Sequence, residues 1–116
     1  MEIQQKIEIL KLRDRNVDHI QIEYSGGGDD GMVDEVRAFD KEGDGIDIEI
    51  NDSLYEYFYY KLNELIEYDW INNSGGSGTA TFYLKNNKFH ICHDQQITKY
   101  VEYDYNLEDV PSITTQ

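Results

Sequence analysis

The stretch "IDIEINDSLYEYFYYKLNELIEYDW", residues 46–70, decides the fold, because the period of its apolar residues changes inside it. Ile46, Ile48 and Ile50 alternate with Asp47 and Glu49, the period-two pattern of a half-buried strand. From Leu54 onward the spacing is helical: Leu54, Phe58, Leu62, Leu65 and Ile66 form one stripe, with Tyr55 and Tyr59 on its flank. Between the two lie Asn51, Asp52 and Ser53, any of which can cap a helix by accepting from a first-turn amide. The spacing therefore predicts a strand over 46–50 and the main packing helix over 54–68.

Working outward, residues 2–15 read as a helix with Ile3, Ile7 and Leu10 at i, i+4 and i+7. "HIQIEYS", 19–25, is a half-buried strand with Ile20, Ile22 and Tyr24 on one face. "GGGDDG", 26–31, reads as a loop, "MVDEVRAFD", 32–40, as a second strand, and "KEGDG", 41–45, as a turn. Beyond the long helix, "TATFYL" (79–84), "KFHICHD" (88–94) and "ITKYVEYDY" (97–105) read as strands, with a hairpin turn at 85–88. The order α-β-β-β-α-β-β-β predicts a single α+β domain over 1–107. It has an antiparallel sheet of about six strands with helices on one face. Residues 108–116, with Pro111 and small polar side chains, read as a loose tail.

Charge is the strongest compositional signal. The 116 residues carry 24 acids against 10 bases, a net charge of −14. Residues 1–18 are neutral, and 29–52 hold ten acids against Arg37 and Lys41. Such a field repels a phosphate backbone and attracts basic surfaces. Ten tyrosines suit contact surfaces, since the ring buries while the hydroxyl stays wet. The single cysteine, Cys92, rules out an internal disulfide and fits a reducing, cytoplasmic compartment. "MEIQQKIEILKLRDR" has no apolar run of signal-peptide or membrane-span length, so the sequons at Asn51 and Asn72 carry no weight.

The glycine run Gly75-Gly76-Ser77-Gly78 follows a helix and precedes a strand. A phosphate cradle needs the opposite order, with the loop feeding a helix N-terminus. The glycines therefore read as chain geometry, and Trp70 before them as a lid over the helix end. "DKEGDGIDIEIND", 40–52, places Asp40, Glu42, Asp44 and Gly45 at calcium-loop positions one, three, five and six. Glu at position three, Asn51 at position twelve and strand-like flanks make it an acidic hairpin turn instead. "FHICHD" puts His90 and Cys92 on one strand face and His93 on the other. Zinc needs three or four convergent ligands, and no second Cys/His cluster exists. Parallel projection from one strand is also poor geometry for a thiol and its base. No metal, no cofactor and no catalytic residue is expected.

Taken together, "IEYSGGGDDGMVDEVRAFD" and "EYDWINNSGGSGTATFYLKNNKFHICHDQQITKYVEYDY" resemble a family of small, acidic, uncharacterised proteins of bacteria and mobile elements. The shared pattern is a Gly-Asp loop after the first strand, an aromatic-Trp-x-Asn-x-x-Gly-Gly-x-Gly-Thr loop, and a His-bearing strand ending in acids and tyrosines. It covers about residues 19–105 and carries over no catalytic residues. In size and charge alone the chain also looks like phage-encoded anti-CRISPR inhibitors. The leading expectation is a non-enzymatic acidic inhibitor that mimics nucleic acid on a basic face of a host defence nuclease. Its contact residues would be Asp29, Asp30, Asp34, Glu35, Asp40, Glu42, Asp44, Asp47, Glu49, Tyr55 and Tyr59. The alternatives are a cation-binding module or small enzyme using those loops, and a structural or immunity-type protein-binding partner. No direct nucleic-acid or membrane contact is expected.

Overall fold

A computed structural model describes residues 2–28, 30–66, 70, 75–95 and 99–107. Two helices, α1 (Ile3–Asp14) and α2 (Asp52–Leu65), accompany six strands. These are β1 (His19–Gly27), β2 (Asp30–Phe39), β3 (Gly45–Ile46), β4 (Gly76–Tyr83), β5 (Lys88–Gln95) and β6 (Lys99–Asn106). The strands form one antiparallel sheet in the order β3-β2-β1-β4-β5-β6. The α+β architecture read from the sequence is the one observed. The tail 108–116 lies outside the described residues.

Register explains how one face becomes the core. Ile20 sits between Ala38 and Phe82, and Ile22 between Val36 and Ala80. The rows continue through Phe89 and Ile91 on β5 to Tyr105 and Tyr103 on β6. Both helices pack on that face: Ile9 and Leu12 of α1 and Leu54, Phe58 and Leu62 of α2 join the same buried cluster. Phe58 lies 5.9 Å from both Phe82 and Phe89, ring centre to ring centre. The opposite face, which carries Glu23, Arg37, Thr79, Thr81, His90, Cys92, Glu102 and Asp104, has no helix over it among the described residues.

Several sequence expectations need correction. The α1 helix forms as expected but turns a different side inward. Gln5, Ile9 and Leu12 are buried, while Ile3, Ile7 and Leu10 are 75%, 40% and 49% exposed. Two apolar stripes lie on nearly opposite sides of this helix, so spacing alone does not choose between them. The 46–50 strand shrinks to Gly45–Ile46, since within this segment pairing with β2 stops after Ile46. Its alternation survives without a ladder, because Ile48 and Ile50 still pack on the core while Asp47 and Glu49 stay exposed. The 26–31 loop also tightens, since pairing runs through Gly26↔Gly31 and Gly27↔Asp30. The α2 helix stops at Leu65, where Ile66 becomes extended (φ −82°, ψ 124°). Its cap is Asn51, whose side chain accepts from the Ser53 amide at 2.8 Å.

At one end of the sheet the glycines have a packing role. Tyr24 on β1 and His93 on β5 flank Gly78 of β4 in register. With no side chain between them, their rings stack across β4 at 5.7 Å, and the Tyr24 hydroxyl meets His93 Nδ1 at 2.6 Å. Both residues are buried, and Trp70 lies edge-on to Tyr24 at 5.0 Å. Burial raises the Tyr24 pKa, followed by charge repulsion from Tyr103 and Cys92. Gly75 adopts φ +73°, and a Cβ there would overlap the Gly26 carbonyl group. Gly75 and Gly78 thus serve chain geometry, and Trp70 is buried against Tyr24 and against Tyr59 in the middle of α2. Residues 67–69 and 71–74 lie outside the described residues.

Candidate functional site

Two features stand out, an acidic edge and a cluster on the open sheet face. The edge begins at the β2–β3 turn. Asp40 turns its carboxylate inward, and Oδ1 accepts from the amides of Glu42 and Asp44 at 3.0 and 2.9 Å. That local bonding makes the segment a tight acidic turn. Glu42, Asp44, Asp47, Glu49 and Asp52 are exposed. None of these five forms an ion pair with a described residue.

The other expected contact residues do not join this edge as a unit. Asp34 is the extra residue of a bulge in the β1–β2 pairing and accepts from the Ser25 hydroxyl at 2.7 Å. Glu35 faces the open sheet surface, and Arg37 grips both its oxygens at 2.7 and 2.8 Å. That grip holds the Glu35 carboxyl below its usual range. Tyr55 and Tyr59 are half-buried against the core, so they are not the free anchors expected from helix spacing. Among the described residues the exposed tyrosines are Tyr60, Tyr83 and Tyr100, at 63%, 38% and 61%. Asp29 and the side chain of Asp30 lie outside the described residues.

The open-face cluster was missed in the sequence. On β5, His90 Nε2 lies 3.3 Å from Cys92 Sγ, so parallel projection from one strand brings the two into contact. The imidazole reaches along the strand because its other nitrogen, Nδ1, is tied to Asp104 Oδ1 on β6 at 2.7 Å. This bond, the first of several causes, lowers the Asp104 pKa. Register places Glu102 opposite Cys92, and Glu102 Oε2 reaches to 3.7 Å from His90 Nε2. The Tyr100 hydroxyl donates to Glu102 Oε1 at 2.9 Å. Hydrogen bonding to Cys92 and then to Glu102 raises the Tyr100 pKa. Sequence spacing offers no third ligand near His90 and Cys92; β6 supplies one. The usable signal was the pairing of "KFHICHD" with "ITKYVEYDY", whose register brings acids opposite both residues.

Cys92, His90 and Asp104 stand in the order of a nucleophile, base and orienting acid. Acyl transfer also needs free amides aimed at an oxyanion. β5 is an inner strand, paired with β4 on one side and β6 on the other, so the amides around Cys92 are committed to the ladder. No helix among the described residues is long and apolar enough to cross a membrane. No protein-family model, curated protein or solved structure matches the chain.

Proposed function

We propose that this chain is a non-enzymatic, acidic protein-binding module that docks on a basic, nucleic-acid-binding surface. A host defence nuclease of the CRISPR type is the class of target that this chemistry suits. The observation that carries the reading is the edge formed by Glu42, Asp44, Asp47, Glu49 and Asp52, exposed and without cation partners among the described residues. A net charge of −14 enlarges its field. Carboxylates already paired within a fold gain little from a second cation, whereas these five keep their full charge for a partner. Charge and exposure support the docking.

The test is competition. Purified nucleases, a guide-loaded CRISPR effector among them, are assayed for DNA binding with increasing amounts of this chain. At least one is expected to lose DNA binding stoichiometrically, and excess DNA is expected to reverse the loss. Undiminished DNA binding across the panel would overturn the reading.

A further inference from the structure

The geometry points to a transition-metal site of the zinc class on the open sheet face, formed by His90 Nε2, Cys92 Sγ and the Glu102 carboxylate. The three ligand atoms lie within 4.8 Å of one another. Tetrahedral zinc, with bonds of about 2.0–2.3 Å, places neighbouring ligand atoms about 3.3–3.6 Å apart. Two of the three separations, 3.3 Å from Sγ to Nε2 and 3.7 Å from Nε2 to Glu102 Oε2, lie close to that range, and the third, between Sγ and the Glu102 carboxylate, is within 4.8 Å. No large movement of the strands is needed to close the ligands on an ion.

The surrounding bonds orient the same three atoms. With the Nδ1 proton donated to Asp104, the His90 Nε2 lone pair faces Cys92 and Glu102. With Oε1 held by Tyr100, Glu102 presents Oε2 to the same point. Carboxylate partners of this type fix the tautomer of a metal-bound histidine and raise its basicity. The donor set decides the metal class. One thiolate, one imidazole and one carboxylate suit zinc and its spectroscopic substitute cobalt(II), whereas calcium and magnesium take oxygen ligands. Three protein ligands leave a fourth position for water or a partner's side chain. The ligands come from two strands, so the ion would also pin β6, an edge strand, to β5.

The experiment titrates the full reduced chain, kept reduced with a phosphine, with cobalt(II) and then displaces the cobalt with zinc. A thiolate-to-cobalt charge-transfer band at one equivalent, lost on adding zinc, is the expected result. Cys92→Ser should abolish the band, and His90→Ala and Glu102→Gln should each weaken cobalt binding tenfold or more. Asp104→Asn keeps all three ligands and should weaken binding by about 10–100-fold through the orientation of His90. All four side chains lie on the solvent face, and far-UV circular dichroism checks that each variant folds. His19→Ala, remote from the cluster and paired with Asp18, should bind as the wild type does. Absence of the band, or wild-type affinity in His90→Ala or Glu102→Gln, would overturn the site.

Discussion

Replacing Gly78 with alanine tests whether the Tyr24–His93 stack depends on a gap in β4. A Cβ at that position would overlap the Cys92 carbonyl oxygen and stand 2.5 Å from the Tyr24 hydroxyl oxygen. Neither neighbour yields easily: one is the backbone of a paired strand, and the other is a buried ring hydrogen-bonded to His93. Overpacking of this kind costs about 1–3 kcal/mol. Losing the Tyr24–His93 bond adds about 0.5–1.5 kcal/mol. Reduced freedom of the unfolded chain offsets about 0.4–1 kcal/mol. The net expectation is a destabilisation of about 0.5–4 kcal/mol, read as a lower urea midpoint at unchanged slope. Gly45→Ala is the control, because a Cβ on that glycine would meet nothing within 4 Å and its φ is not positive. It should be neutral or slightly stabilising. Tyr24→Phe removes the hydroxyl that the new methyl would strike, so Gly78→Ala should cost less in that background than in the wild type. Equal midpoints for Gly78→Ala and Gly45→Ala, or strict additivity with Tyr24→Phe, would refute the reasoning.

Ile9→Ala should cost about 2–5 kcal/mol, whereas Ile7→Ala, on the exposed stripe of α1, should stay within about 0.5 kcal/mol of the wild type in urea unfolding. Gly75→Ala should destabilise more than Gly43→Ala, since both glycines have positive φ but only Gly75 faces backbone at contact distance. Asp104 should titrate below its ordinary value of 3.8 and move upward in His90→Ala, measured by carboxyl NMR. Because its native pKa is depressed, its contribution to stability is present above the unfolded value. It is lost as pH falls through the lowered native value, so His90→Ala should flatten the acid limb of the stability curve below about pH 4.

The α2 stripe and the alternation of β1 were legible because each has one apolar face and one polar face. Ile20, Ile22 and Tyr24 have no competing assignment, and neither do Leu54, Phe58 and Leu62. The inward side of α1 was not legible, since Ile3-Ile7-Leu10 and Ile9-Leu12 are both apolar and only packing into the common core selects the second. Alternation over 46–50 reported burial correctly but pairing incorrectly, because hydrophobic period does not record whether a neighbouring strand is present. The His90–Cys92 cluster escaped for a related reason. Its remaining members, Tyr100, Glu102 and Asp104, sit eight or more positions along the chain and arrive only through β5–β6 register.

Engagement of a basic partner by the exposed carboxylate edge requires several carboxylates to act together, since each exposed ion pair is worth only about 0.2–1 kcal/mol. Asp47→Ala alone should therefore change little. The decisive measurement is a titration of a DNA-binding nuclease with wild type and with the Asp44→Lys, Asp47→Lys, Glu49→Lys triple variant, at low and physiological salt. The expected result is binding at least tenfold weaker for the folded triple variant, equivalent to about 1.4 kcal/mol. Wild-type binding should also weaken at the higher salt, where screening shortens the reach of exposed charges. Equal affinities for both proteins at both salt concentrations would contradict the docking and leave the charge with a role in solubility alone.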